Sequence, residues 1–163
     1  MRFIFDLDGT VIDSTHRQAS HPDGTLDLEH WVENSTPALI ERDTLLPLAD
    51  VMRAAIMRGD DVIICTARVL AEADLDFLER RGLYVPDILS RPEGCNWPDP
   101  VLKSLLLKMY CQDNCLNWQL FLKTAIMFED AKPTIELLRG KGLTVYDAVE
   151  WNGLVRTANL KTA

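Results

Sequence analysis

The chain has 163 residues, 47% hydrophobic and 26% charged, with 17 basic and 25 acidic side chains giving a net charge of −8. This is the composition of an ordinary globular domain, long enough to remove roughly two-thirds of its unfolded surface from water. It excludes a protein that coats long nucleic acid, which needs a basic footprint, and no apolar run approaches the ~20 residues of a membrane span. Met1 leads straight into the first predicted strand without a secretory leader, so the expected address is the cytoplasm.

Arg2 to Phe5 read as a short buried strand that runs directly into Asp6-Leu7-Asp8-Gly9-Thr10. Asp6 and Asp8 are two residues apart and would share a face of an extended strand. Two carboxylates buried side by side cost several kcal/mol unless something neutralises them. A hard divalent cation such as Mg²⁺ suits that role, with oxygen ligands and open positions for water and phosphate. Gly9 lets the backbone leave the strand sharply or approach a ligand, and the Thr10 hydroxyl can orient a carboxylate.

Residues 11–43 are only weakly periodic. They hold His16, Arg17, His21, a Pro-Asp-Gly turn at Pro22–Gly24 and a short amphipathic piece around Leu28 to Val32. A connection of that length carries small elements of its own or a function. Following the carboxylate turn, it is expected to cover the site. Of the three histidines only His16, beside Arg17, invites attention; none is paired with a nucleophile.

Leu45 to Arg58 predicts a helix from the recurrence of Leu48, Val51, Met52, Ala55 and Ile56, with Pro47 in the first turn and Gly59 after the end. Asp61 to Thr66 is a continuous apolar run suited to a buried parallel strand. Thr66 at its end can donate to a phosphate oxygen, although threonine also simply suits strands. Arg68 could hold a phosphate bidentately or sit in solvent at a helix start. A second helix is predicted over Ala71 to Arg81 and a third strand over Val85 to Leu89, with Pro86 placing it near an edge.

Ser90 to Pro100 reads as a polar loop, and Val101 to Tyr110 as a third helix. Lys103 lies in its first turn, where a cation opposes the helix dipole and needs another reason to be favoured; Lys108 is its competitor. Cys111 to Lys123 is expected to continue helical with Trp118, Leu120 and Phe121 inward. Cys111 and Cys115, four apart, are expected on one face of that helix but lack the further ligands of a zinc site, and the thiols are expected to be reduced. The four tryptophans are expected in core or lid packing, with Trp97 as a candidate base-stacking platform. Thr124 to Phe128 is a fourth strand that ends in Glu129-Asp130, a second acid pair. Pro133 to Arg139 predicts a fourth helix, Leu143 to Tyr146 a fifth strand, and Val149 to Ala163 a polar tail. Strands alternating with helices specify α/β architecture, a parallel sheet with helices on both faces and ligands beyond the carboxyl ends of the strands.

The stretch FDLDGTVID resembles the first motif of the haloacid dehalogenase (HAD) superfamily of phosphohydrolases. The order of acid pair, Thr66, Lys103 and Glu129-Asp130 resembles the superfamily's four motifs over roughly Arg2 to Tyr146. The resemblance implies a Rossmann-like three-layer sandwich without a large cap: one domain over 1–163, with a small covering segment at about 11–43. It also implies a Mg²⁺-dependent phosphatase in which Asp6 attacks phosphorus and Asp8 acts as general acid and base. Asp6, the Asp8 carbonyl and Asp130 would hold the metal, with Thr66 and Lys103 on the phosphate oxygens and Glu129 supporting from behind. The chain departs from the pattern in having Glu129 first in the last motif and a long gap from Lys103 to Glu129.

The segment SRPEGCNWPDPVLK and the stretch AIMFEDAKPTIELLRGKGLTVY resemble the phosphatase domain of phage-type polynucleotide kinase–phosphatases. No GxxxxGK[ST] kinase loop occurs in the sequence. That resemblance implies a nucleotide or a 3′-phosphorylated nucleic-acid end as the partner, with Gly9, Thr10, Arg17, Arg68 and Arg91 around it. Two alternatives stay open: a small-metabolite (sugar phosphate) phosphatase, and a non-catalytic phosphate-binding protein on the same fold. A two-component receiver is disfavoured, because the third predicted strand ends in Leu89-Ser90-Arg91 and not in an aspartate.

Overall fold

Four parallel pairings build the centre of the molecule. The computed structural model describes residues 1–23 and 27–162. Strands β1 (Arg2–Phe5), β4 (Asp61–Cys65), β5 (Asp87–Leu89), β6 (Ala125–Glu129) and β7 (Thr144–Asp147) form one sheet in the order β5-β4-β1-β6-β7. Every pairing in it is parallel, with Phe5 opposite Ile64 on one side and Phe128 on the other. The chain winds outward in both directions from β1, so the end of β1 is the switch point where α/β sheets bind ligands.

Alternation along the strands divides the core into two layers. Phe5, Val62, Ile64 and Phe128 face helices α3 (Leu48–Met57) and α4 (Glu72–Arg80), against Met52, Phe77 and Leu78. Ile4, Ile63, Cys65 and Met127 face α5 (Asp99–Asp113), α6 (Trp118–Thr124) and α7 (Lys132–Gly140), against Leu107, Phe121 and Leu138. The result is the three-layer α/β sandwich that the alternating pattern predicts.

The segment 11–43 is built of small elements. Strand β2 (Ile12–Asp13), a 3-10 turn at Thr15–Arg17 and helices α1 (Leu28–Glu33) and α2 (Pro37–Ile40) lead to β3 (Thr44–Leu45). β3 pairs antiparallel with β2 and so ties the ends of the excursion together. Of the turn predicted at Pro22–Gly24, Gly24 lies outside the described residues.

Three expectations are corrected. The predicted polar tail is a helix, α8 (Ala148–Thr162). Its inward side is only a narrow strip: Ala148 is buried, and the Trp151 ring meets Phe128 edge-on at 5.6 Å. Too few apolar residues recur to betray a helix by periodicity. Leu120 is 60% exposed rather than inward, while Phe121 is buried and stacks on Trp118. Cys111 is buried within α5, whereas Cys115 lies beyond the helix end at φ 53° and is exposed, so the two share no face.

The helix α8 also fixes the turn after β1. The buried Asn152 side chain accepts a hydrogen bond from the Leu48 N–H at 2.8 Å and donates to the Thr10 carbonyl at 3.0 Å. Asn152→Ala would leave both backbone groups buried without a partner, which costs about 2–4 kcal/mol. Asn152→Asp keeps only the acceptor and is expected to fall in between. Urea unfolding of the two variants measures this.

Candidate active site

The chain leaves β1 at Phe5, and the next backbone N–H, of Asp6, donates to the Phe128 carbonyl at 3.1 Å. This clamps Asp6 between the ends of β1 and β6. The turn closes as the N–H groups of Thr10, Val11 and Ile12 all donate to the Leu7 carbonyl. Gly9 sits at φ +73°, and a Cβ there would stand 2.2 Å from an Asp130 carboxylate oxygen. Glycine is therefore required on two counts: the left-handed backbone and the close approach of the two acid motifs. Thr10 directs its hydroxyl at Asp6 Oδ2 over 3.5 Å, a long contact.

Asp6, Lys103 and Glu129 form a buried ion-pair cluster. Lys103 Nζ lies 2.8 Å from Asp6 Oδ1 and 2.7 Å from Glu129 Oε2. Lys108 is exposed on the other side of α5, so Lys103 is the lysine that meets the acids. The second Glu129 oxygen accepts from the Ala131 N–H at 3.1 Å. Oxygens of Asp6, Glu129 and Asp130 all lie within 4.8 Å of one another. Three carboxylates against one ammonium leave two formal negative charges, a deficit that one divalent cation would cancel. An all-oxygen donor set with that charge fits Mg²⁺ well.

Electrostatics carry the same signal. Burial pushes the Asp6 carboxyl up to about 7, against the pull of Lys103. Asp130 is raised to about 6, first by burial and then by the neighbouring Asp6 charge. Glu129 is also raised by burial, and Lys103 is raised in spite of burial by its two acid partners. Protons and a divalent cation compete for these oxygens. Mg²⁺ affinity is therefore expected to rise steeply between about pH 5 and pH 8, with protons released on binding. Calorimetric titration in two buffers of different ionisation heat measures both quantities.

The Asp8 carboxylate is turned away from this cluster. Arg68 grips it from Nε, 3.0 Å from Oδ2, and from Nη2; the Ser14 hydroxyl donates to Oδ1. Burial pushes Asp8 up, but the Arg68 guanidinium outweighs it and holds the carboxyl below its ordinary range. Thr66 leaves β4 beside β1, fully buried, and its hydroxyl oxygen accepts from the Arg68 N–H at 3.1 Å. Among the described residues nothing accepts its own proton, which a ligand oxygen could take.

The three arginines expected around a substrate all have partners within the chain, Arg17 and Arg68 buried ones and Arg91 partly exposed ones. Arg17 is only 1% exposed; it grips both Asp43 oxygens at 2.9 Å and donates to Ser35 Oγ. Its guanidinium lies 4.1 Å from the Trp31 ring centre. Arg68 adds Asp74 to Asp8 and lies 3.6 Å from Asp43. Arg91 donates to the carbonyls of Ala67, Cys95 and Trp97 and pairs with Asp99, so it folds the 91–99 loop against the turn after β4. Arg17 and Arg91 thus serve as internal struts, not as free cations. His16 meets Asp43 at 2.8 Å, and Trp97 is 52% exposed with no ring or cation stacked on it among the described residues.

Sequence reasoning missed Ser14, Asp43 and Asp74. Ser14 alone carried a signal, lying just past the acid turn. Asp43 and Asp74 are single acids far along the chain, and only the fold brings them to Arg68.

The sheet order and the acid motifs at the strand ends are those of the HAD-like fold. Solved structures agree. A chain of the Pnkp1/Rnl/Hen1 RNA repair complex superposes with a TM-score of 0.66 at 21% identity, over 90% of this chain and 41% of that one. A haloacid dehalogenase-like hydrolase from Streptococcus pneumoniae gives 0.62 at 14% identity, over 90% and 83%. A second hydrolase, from Streptococcus pneumoniae TIGR4, gives 0.56 at 15% identity, over 95% and 97%. The family is narrower. Residues 1–95 match the model of the Bacteriophage T5 5′-deoxynucleotidase family, and the chain belongs to it. The 5′-deoxynucleotidase of Escherichia phage T5 is 42% identical over an alignment of 84 residues that covers 49% of this chain. The chain spans about a third (34%) of that relative's length. Among the described residues no helix is long and apolar enough to cross a membrane.

Proposed function

We propose that this protein is a Mg²⁺-dependent phosphomonoesterase acting on deoxynucleoside 5′-monophosphates, and that residues 1–163 work as one catalytic domain covered by residues 11–43. The observation that carries the proposal is the buried Asp6–Lys103–Glu129–Asp130 cluster at the carboxyl ends of β1 and β6. Membership of a family named for a 5′-deoxynucleotidase supports the substrate class.

A carboxylate oxygen of Asp6 attacks phosphorus, and the bond from phosphorus to the 5′ oxygen breaks. Asp8 gives the leaving alcohol its proton. It then takes one from a water whose oxygen attacks the aspartyl phosphate, which releases inorganic phosphate and restores Asp6. The hold of Arg68 on Asp8 keeps it ionised, the state the second step needs; in the first it must arrive protonated. Thr66 and Lys103 bind the phosphoryl oxygens, and the Gly9–Thr10 turn lets the backbone approach them. Asp6, Asp130 and the Asp8 carbonyl would hold the metal, and Glu129 fixes Lys103 behind them. The bound cation supplies charge neutralisation on the transferring group.

A 3′-phosphorylated nucleic-acid end is the less favoured substrate. Arg17, Arg68 and Arg91 are already neutralised by internal partners, which leaves little to hold further phosphates. Phosphate release from 5′- and 3′-mononucleotides, 3′- and 5′-phosphorylated oligonucleotides and sugar phosphates tests this, with Asp6→Asn as control. Best turnover on deoxynucleoside 5′-monophosphates is expected. Best turnover on a 3′ end, or on sugar phosphates, would replace the substrate assignment. No turnover by folded wild type would favour a non-catalytic phosphate binder.

A further inference from the structure

We propose that the cavity beside Asp8 and Asp130 is a site for an uncharged nucleoside, and that Asp13 sets its specificity by excluding leaving groups that carry a second phosphate. This rests on the phosphatase reading above. The cavity has a volume of about 270 Å³ and runs from Asp8 and Asp130 to Ser14, Gln18 and Leu46, with Asp13 on its wall. Lys103 and Thr66, the phosphate-side groups, do not line it. Asp8, which must meet the leaving oxygen, does. The group bonded to phosphorus through that oxygen therefore extends into this space.

The walls say what that group can be. Leu46 offers an apolar surface, and the Gln18 amide offers a donor and an acceptor. Gln18 Nε2 already donates to Ser14 Oγ at 3.0 Å, which in turn holds Asp8. Among the described residues its amide oxygen has no partner and is free to accept from a sugar hydroxyl. Among the described residues no lysine, arginine or histidine lines the cavity, whereas three carboxylates do. Two of the three, Asp8 and Asp130, have tasks in the chemistry. Asp13 has none. Its carboxylate accepts from the Thr15 N–H at 3.0 Å and the Thr15 hydroxyl at 2.6 Å, which hold it on the cavity wall. A free 3′-hydroxyl is compatible with these walls; a 3′-phosphate is repelled.

The test compares a deoxynucleoside 5′-monophosphate with its 3′,5′-bisphosphate, scoring release of the 5′ phosphate by wild type and Asp13→Asn. Asparagine keeps the acceptor for Thr15 and removes only the charge. Wild type is expected to prefer the monophosphate by about tenfold or more in kcat/KM at low salt. Asp13→Asn should narrow that preference several-fold, mainly through KM of the bisphosphate. Salt should narrow it in wild type and not in the variant, and Gln18→Glu, which adds a charge, should widen it. An unchanged ratio in Asp13→Asn, or an equal loss on both substrates, overturns the proposal. Binding of a deoxynucleoside and its 3′-monophosphate to Asp6→Asn protein, read by calorimetry, tests the cavity a second time without turnover. If wild type hydrolyses nothing, the phosphatase reading fails while the binding preference still decides for or against the cavity. Equal binding of the two ligands to both Asp6→Asn and the Asp6→Asn/Asp13→Asn double variant would overturn it there.

Discussion

Asp6→Asn is expected to lower phosphate release by about 10⁴-fold or more, the scale on which removal of a covalent nucleophile acts, and at the same time to make the metal-free protein more stable. The two effects have one origin. Asp6 is 4% exposed and its carboxyl is raised to about 7, chiefly by burial. Its folded pKa lies above the unfolded value, so it costs nothing below about pH 4. The penalty grows as pH rises through about 7, where the folded protein must carry the buried charge. The amide removes that penalty. At pH 8 without metal the variant should therefore be stabilised by a few kcal/mol, and at pH 4 the two proteins should unfold alike. Mg²⁺ should reverse the order, since wild type gains more from the cation than a site with one carboxylate fewer. Thermal unfolding at the two pH values, with and without Mg²⁺, reads all of this. A variant less stable than wild type in metal-free buffer at pH 8 would mean that the Lys103–Asp6 pair outweighs the burial cost.

This tension was legible in the sequence because it is local. Asp6 and Asp8 stand directly after an apolar strand, and Glu129-Asp130 directly after another, so each pair had to lie at a strand end wherever the strands fell in the sheet. Lys103 could be narrowed to two candidates but not chosen, because the choice depends on how α5 is rotated against the sheet. The segment 11–43 stood out by its place and length, while its β2–β3 closure uses strands of two residues each, too short for any periodicity. The helix α8 escaped notice for a related reason: it meets the core through Ala148, Trp151 and Asn152, a strip too narrow to repeat. The arginines have partners that the sequence did not reveal. Near a phosphate motif a guanidinium suggests substrate, yet Arg17 and Arg68 are held by Asp43 and Asp74, acids that only the folded chain brings to them.

Those acids set the second large effect. Arg68→Met is expected to cost about 3–5 kcal/mol of stability at pH 7, the scale for breaking a buried ion pair from one side. Arg68 is 6% exposed, holds Asp8 and Asp74 directly and lies within reach of Asp43. Removing the guanidinium leaves carboxylates facing one another under the Trp31 ring, which also loses its second cation at 5.3 Å. The pH dependence identifies the cause. Asp8 has a folded pKa below its ordinary value, so the stability it contributes is present above about pH 4 and is lost as pH falls through the lower folded pKa. The gap between wild type and Arg68→Met should therefore be widest near neutrality and shrink in acid, where protonation removes the same ion pairs from both proteins. A gap that stays constant down to about pH 2 would assign the loss to packing against Trp31 and not to charge. Arg68→Lys separates the two further. A single ammonium keeps the charge but cannot reach Asp8 and Asp74 with the planar fork, so it should restore part of the stability at pH 7. Because Asp8 is held less firmly in that variant, its carboxyl rises toward the ordinary range, and the rising limb of the pH–rate profile should move to higher pH with it.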